Sequence, residues 1–122
     1  MDKILIKKTK VSPEVVLEPD GFAEISGESY PENSVSFYEP IMKWLKEAVD
    51  EKKEINFNFR LDYFNTSSSK CIMDILSKLD KYNTDGGKVV VKWHYAEDDD
   101  DMLEAGEDFS ADLSLPFEKI AT

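Results

Sequence analysis

Apolar residues in the N-terminal third of the chain fall into short runs that are typical of β-strands. Residues 3–8 have an apolar centre, and the run at 14–18 is apolar at three adjacent positions. The turn residues Pro19-Asp20-Gly21 separate that second run from a third at 22–27. Pro-Asp-Gly between two apolar runs is a hairpin signal, because glycine readily supplies the positive φ that such turns often need. We therefore expect a hairpin near the N-terminus.

Two later segments repeat their apolar residues at the spacing of an α-helix. The first extends from Val35 to Val49. We expect Pro40 to be the first residue of its main helical part, or a kink, because proline cannot donate a backbone hydrogen bond. The second long helix has its apolar stripe at Ile72, Ile75, Leu76 and Leu79. A shorter third helix is expected at 102–109, after the acidic run 97–101.

A period of two marks the segment between the two long helices. Ile55, Phe57, Phe59 and Leu61 alternate with polar residues, which is the pattern of a half-buried strand. Because the other side of this strand is polar, we expect the helices to cover mainly one face of the sheet. Further strands are predicted at 89–95 and around 113–117.

The order of these elements predicts an α/β fold with a mixed sheet. Strand–helix–strand crossovers make neighbouring strands parallel, and the crossovers are almost always right-handed. Three connections then leave the carboxyl ends of parallel strands, at 29–34, 63–70 and 96–101. They meet at one edge of the sheet, which we call the rim, and binding sites of open α/β sheets form at such edges.

Composition and charge narrow the class of protein. A length of 122 residues favours one domain. The net charge of −11 would repel a phosphate backbone, so we expect no direct nucleic-acid binding. With Cys71 as its single cysteine and no long apolar run, the chain fits a reducing cytoplasm and no membrane.

Five consecutive residues at the rim, Asn65-Thr66-Ser67-Ser68-Ser69, join a strand to a helix N-terminus. We call them the hydroxyl run. Asparagine, threonine and serine are good helix N-caps, so capping alone explains one of them. A helix N-terminus also accommodates phosphate, since it has unpaired N–H donors and the positive end of the helix dipole. The run is therefore a candidate phosphorylation site.

Three segments in sequence order carry a family resemblance: Ser29-Tyr30-Pro31-Glu32-Asn33-Ser34, residues 63–70 with Met73-Asp74-Ile75, and Lys92-Trp93-His94-Tyr95. This combination resembles the SiaC family of bacterial regulatory phosphoproteins, whose fold is like that of STAS anti-sigma-factor antagonists. The resemblance implies a single SiaC-like, STAS-like domain over residues 1–122. The STAS phosphoserine motif is Asp-Ser-Ser-Gly, and this chain has Asn65 and Ser68 at the Asp and Gly positions. That difference argues against an ordinary anti-sigma-factor antagonist.

The same resemblance implies a switch that is not itself an enzyme. In the family, a dedicated serine/threonine kinase phosphorylates a threonine, and a metal-dependent phosphatase removes the phosphate. By match, that threonine is Thr66, with Ser67 and Ser68 as alternates. The unphosphorylated form is expected to bind and regulate a downstream signalling protein such as a diguanylate cyclase. The expected partner-binding residues are Tyr30, Asn33, Asn65, Ser67, Ser68 and Ser69.

An alternative function is a small-molecule or anion-binding module that uses the helix N-terminus after Asn65. An enzyme ranks third, because no activated nucleophile and base can be paired in the sequence. His94 and Cys71 are expected to be structural, and no metal-ligand motif or cofactor loop is present. The acidic run 97–101 is interpreted as a solvated helix start, with binding of Mg²⁺ or Ca²⁺ left open.

Overall fold

Six strands form one mixed sheet in the sequential order β1 to β6, and three helices accompany it. The computed structural model describes residues 1–122. The first three strands pair antiparallel, and β3 to β6 are parallel neighbours. The elements are β1 (Ile4–Ile6), β2 (Glu14–Leu17), β3 (Phe22–Ser29), α1 (Ser34–Asp50), β4 (Ile55–Phe64), α2 (Thr66–Thr84), β5 (Val89–Tyr95), α3 (Asp100–Ser110) and β6 (Phe117–Ala121).

One face of the sheet carries the core. Phe57 and Phe59 of β4 are fully buried, together with the apolar side chains that α1 and α2 direct at the sheet. The alternate residues on the other face are polar, among them Arg60, which pairs with Glu24. The predicted mixed sheet with helices mainly on one face is confirmed, as is the N-terminal hairpin at Gly21. The expected likeness to STAS proteins stays a prediction.

The connections at the rim are shorter than the sequence predicted. Because β4 continues to Phe64 and α2 begins at Thr66, the predicted connection 63–70 is wrong, and Asn65 alone joins the two elements. Most of the hydroxyl run is thus the first turn of a helix. The other two connections at the rim are residues 30–33 and 96–99. The loop between β1 and β2 reaches the same edge, where the N–H of Tyr30 donates to the carbonyl of Val11 at 2.8 Å.

Two other element boundaries differ from expectation for identifiable reasons. Helix α1 begins at Ser34, well before Pro40, because Asn33 caps it by accepting from the N–H of Ser36 at 3.1 Å. Pro40 is therefore not the first helical residue. The last strand follows Pro116, whereas we expected it around 113–117. One carboxylate oxygen of Asp80 accepts the N–H groups that precede Pro116 and fixes a loop there.

A β-bulge near the rim changes which side chains face the core. Leu61 of β4 pairs with Gly27 of β3, but the next pair joins Tyr63 to Glu28, so Asp62 is an extra residue. A one-residue shift moves every following side chain to the opposite face of the sheet. Phe64 consequently packs on the core face, and Tyr63 is half-exposed on the outside.

Candidate functional site

Asn65 is the cap of helix α2. Its side-chain oxygen accepts the backbone N–H of Ser68 at 2.9 Å and the hydroxyl of Ser67 at 3.2 Å, and its carbonyl accepts the N–H of Ser69. Capping therefore explains one residue of the hydroxyl run and leaves Thr66 free of that role. Asn33 has the same capping role in α1. Two helix N-termini thus meet side by side at the rim.

The hydroxyl groups that follow Asn65 are in different environments. Thr66 is exposed, and its hydroxyl makes no hydrogen bond within the chain. Ser67 is exposed, but its hydroxyl also bonds that of Ser34 at 2.7 Å. Ser68 is completely buried, and Ser69 is half-buried. The burial of Ser68 argues against its expected roles as an alternate phosphorylation site and a partner contact.

Buried hydroxyls connect the run to the core. Ser29 Oγ donates to Ser68 Oγ at 2.9 Å and lies 2.7 Å from the hydroxyl of Tyr38. Ser34 closes the network at 3.4 Å from Ser68. Burial raises the pKa of Tyr38 to about 12, against the lowering effect of its hydrogen bond with Ser29, so the phenol stays neutral and can donate. Ser29 and Tyr38 were not among the site residues predicted from the sequence.

Large exposed apolar side chains lie on the elements that flank the exposed hydroxyls. The rings of Tyr30 and Tyr63 pack edge to face, with centroids 5.7 Å apart. Tyr30 is 37% exposed, Tyr63 50% and Val35 75%. Val35 follows Ser34, whose hydroxyl bonds that of Ser67, and Tyr63 lies on β4, two residues before Asn65. Of these residues, only Tyr30 was a predicted contact. Large exposed apolar side chains that cluster on a surface are typical of a protein-binding site.

The other candidates for chemistry are structural. His94 Nε2 lies 3.0 Å from the side-chain oxygen of Asn58, and burial lowers the His94 pKa, with a further contribution from Arg60. Burial and the nearby Asp74 raise the pKa of the Cys71 thiol. A raised pKa keeps this thiol protonated, so it is a poor nucleophile. His94 and Cys71 therefore belong to the packing, as expected.

The acidic run starts helix α3. Asp99 caps the helix by accepting the N–H of Met102 at 3.0 Å, and Asp100 and Asp101 are in the first turn. This agrees with the interpretation of a helix start. No group of three or more histidine, cysteine, aspartate or glutamate side chains is arranged to hold a metal ion. None of the three helices combines the length and the apolar composition that a membrane-spanning segment needs.

Comparison with known proteins identifies the family. The sequence model of the family of SiaC family regulatory phosphoproteins matches residues 6–122 of this chain. A chain in the crystal structure of diguanylate cyclase SiaD in complex with its activator SiaC, from Pseudomonas aeruginosa, is 32% identical with a TM-score of 0.94. The match covers 98% of this chain and 99% of that chain. Apo-SiaC from the same organism has 32% identity and a TM-score of 0.92, with 99% and 100% covered.

An uncharacterised protein of Pseudomonas aeruginosa is 36% identical over 98 residues, which are 80% of this chain and 78% of that protein. The family match takes in the rim, both capped helix N-termini and the hydroxyl run. Sequence and fold thus agree over almost the entire length. The chain belongs to the SiaC family of regulatory phosphoproteins.

Proposed function

We propose that this chain works as one domain and is a phosphorylation-controlled interaction switch with Thr66 as its phosphoacceptor. In this proposal the unphosphorylated form binds and activates a diguanylate cyclase. A serine/threonine kinase adds the phosphate, and a metal-dependent phosphatase removes it. The chain is a substrate of both enzymes and catalyses neither step. A solved structure supports this class of partner, because it contains diguanylate cyclase SiaD in complex with its activator SiaC.

The observation that carries the proposal is the free hydroxyl of Thr66 at the start of α2. A kinase must reach the acceptor oxygen, and Thr66 is exposed and unbonded. Ser67 would have to give up its bonds to Ser34 and Asn65, and Ser68 would have to leave the core. Among the hydroxyls of the run, Thr66 therefore requires the least rearrangement.

The helix start can hold a phosphate without unfolding. The backbone N–H groups of Thr66 and Ser67 lie in the first turn of α2, where no preceding turn of the helix supplies a carbonyl acceptor. They are therefore free to bond an anion. Phosphorylation adds about −1.5 to −2 charges, which the helix dipole favours at this end. Lys70 is exposed four residues further along the helix, at the spacing that suits an acid–lysine pair. We therefore expect the modification to change the surface and leave the fold intact.

The direction of the switch follows from what surrounds Thr66. An unmodified threonine among Tyr30, Tyr63 and Val35 suits an interface with a dry, apolar centre. Burying a phosphate dianion there would carry a large desolvation cost, which pairing with a single lysine such as Lys70 does not fully offset. Exposed carboxylates at the same rim would add repulsion. Phosphorylation is therefore expected to weaken partner binding, with Asn33, Asn65, Ser67 and Ser69 as further contacts.

The test measures phosphorylation and binding on the same proteins. After incubation with the kinase of its host, the wild type should gain one phosphate by intact-mass spectrometry. Thr66→Ala should gain none, Ser67→Ala should be modified normally, and Thr66→Ser should restore the acceptor. Calorimetry with the host's diguanylate cyclase should show tight binding by unmodified protein and by Thr66→Ala, and much weaker binding after kinase treatment.

Two results would contradict the proposal. A stoichiometric phosphate on another residue would overturn Thr66 as the acceptor. Equal or tighter cyclase binding after phosphorylation would overturn the direction of the switch. A bound small molecule on protein purified from its host, with no phosphate, would favour the anion-binding alternative.

A further inference from the structure

A groove of about 410 Å³ lies at the rim between the end of β4 and the start of α3. Its floor is apolar and consists of Phe64, Met102 and Ala105, which are buried or half-buried. Phe64 reaches this floor because the β-bulge at Asp62 turns it to the core face. The groove therefore depends on the same register shift that exposes Tyr63.

Carboxylates stand around this apolar floor. Asp62, Asp99 and Asp101 line the groove, and none of them takes part in an ion pair. One oxygen of Asp99 is occupied by the N–H of Met102, whereas Asp62 and Asp101 are exposed. No lysine or arginine lines the groove. Its charge is thus left without a cation from the chain itself.

We propose that this groove receives an arginine or lysine side chain from the protein partner that docks on the unphosphorylated rim. The inference rests on the proposed function. Long basic side chains combine an apolar stem with a charged head, which matches an apolar floor between carboxylates. The exposed ring of Tyr63 adds a surface on which a cation can stack. Arginine fits best, because its planar fork can bond a carboxylate through two parallel N–H groups.

The groove is continuous with the surface around Thr66. Tyr63 lines the groove and also packs against Tyr30, next to the hydroxyl run. A partner that covers Thr66 therefore has the groove within its footprint. A divalent metal ion is the competing occupant, but it requires more free oxygen ligands than Asp62 and Asp101 supply.

One experiment compares two variants with the same loss of charge. Asp62→Asn with Asp101→Asn removes both free carboxylates from the groove. The control variant, Asp108→Asn with Asp112→Asn, removes two exposed, unpaired carboxylates. Asp108 lies near the C-terminal end of α3, and Asp112 follows that end. The groove variant should bind the host's cyclase about tenfold more weakly and with a smaller salt dependence, while the control stays within about twofold of wild type. Both should still be phosphorylated, and if the groove variant binds as the wild type does, the groove proposal is wrong and the switch proposal stands.

A second measurement works without the cyclase. Titration of ¹⁵N-labelled protein with acetyl-arginine amide should shift the amide signals of Phe64 and Ala105 in the wild type and in the control variant. The shifts should disappear in the groove variant, and acetyl-glutamine amide should cause none. Absence of shifts with the arginine probe, or the same shifts with Mg²⁺ or Ca²⁺ alone, would overturn the proposal whether or not the cyclase binds.

Discussion

Replacing Ser68 by alanine removes a buried oxygen two residues from the exposed Thr66. We predict that Ser68→Ala lowers the free energy of unfolding by about 1–2 kcal/mol. Thr66→Ala should change it by less than about 0.5 kcal/mol, because Asn65 supplies the cap and the Thr66 hydroxyl makes no bond. Both substitutions delete a hydroxyl from the same helical turn, and Thr66→Ala also removes an exposed methyl group.

The magnitude follows from the hydroxyl network. Ser29 donates to Ser68 and also contacts the hydroxyl of Tyr38 at 2.7 Å, and Ser68 and Tyr38 are almost completely buried. Without the Ser68 oxygen, the Ser29 proton can turn toward Tyr38, but the tyrosine proton then loses its acceptor. One buried donor is left unpaired in either arrangement, at a cost of about 1–3 kcal/mol. The better helix propensity of alanine returns about 0.5 kcal/mol.

Urea unfolding followed by tryptophan fluorescence would measure both variants. Trp44 and Trp93 are buried, so their emission should report loss of the core. The dependence of unfolding free energy on urea should be unchanged, which would show that both native and denatured states keep their compactness. If Thr66→Ala proves as destabilising as Ser68→Ala, the hydroxyl of Thr66 has a structural partner and the reasoning fails.

Three further predictions concern the core and the open face of the sheet. Gly106→Ala should destabilise by about 1–2 kcal/mol in urea unfolding, because its Cβ would lie 2.5 Å from the buried Trp93 ring and overpacking outweighs the helix gain. Leu76→Ala should lose about 2–5 kcal/mol in the same assay through a core cavity. Because the pKa of His94 is lowered in the folded protein, the unfolded chain takes up a proton on His94 at a higher pH than the folded protein does. Stability should therefore decline as pH falls below the ordinary value of 6.5, and His94→Gln, measured in parallel, should lack that component.

The sequence predicted the location of the site well, because local patterns determine it. The alternation at residues 55–61 and the helical spacing that follows Lys70 place the hydroxyl run between a strand and a helix. The parallel crossover rule then brings residues 30–33 and 96–99 to the same edge. These inferences need no knowledge of contacts between distant residues.

The network and the groove could not be predicted, because both depend on register between distant segments. Ser29 and Ser68 are 39 residues apart in sequence, and nothing local indicates that their hydroxyls meet. The bulge at Asp62 inverts the faces of the last residues of β4, so the alternation that holds up to Leu61 assigns Tyr63 to the wrong side. The connection 63–70 was wrong for a related reason, since serine-rich segments resemble loops even when a cap turns them into a helix.

The single-residue link at Asn65 has a kinetic consequence. Thr66 is carried by a helix that is attached almost directly to a central strand, so the surface around it has few torsions left to order when a partner arrives. Such a preorganised surface loses little conformational entropy on association. Differences in affinity between related complexes lie mostly in how fast they dissociate. The two phosphorylation states should therefore differ more in how long they remain bound to the cyclase than in how fast they meet it, as stopped-flow or surface-plasmon measurements would show.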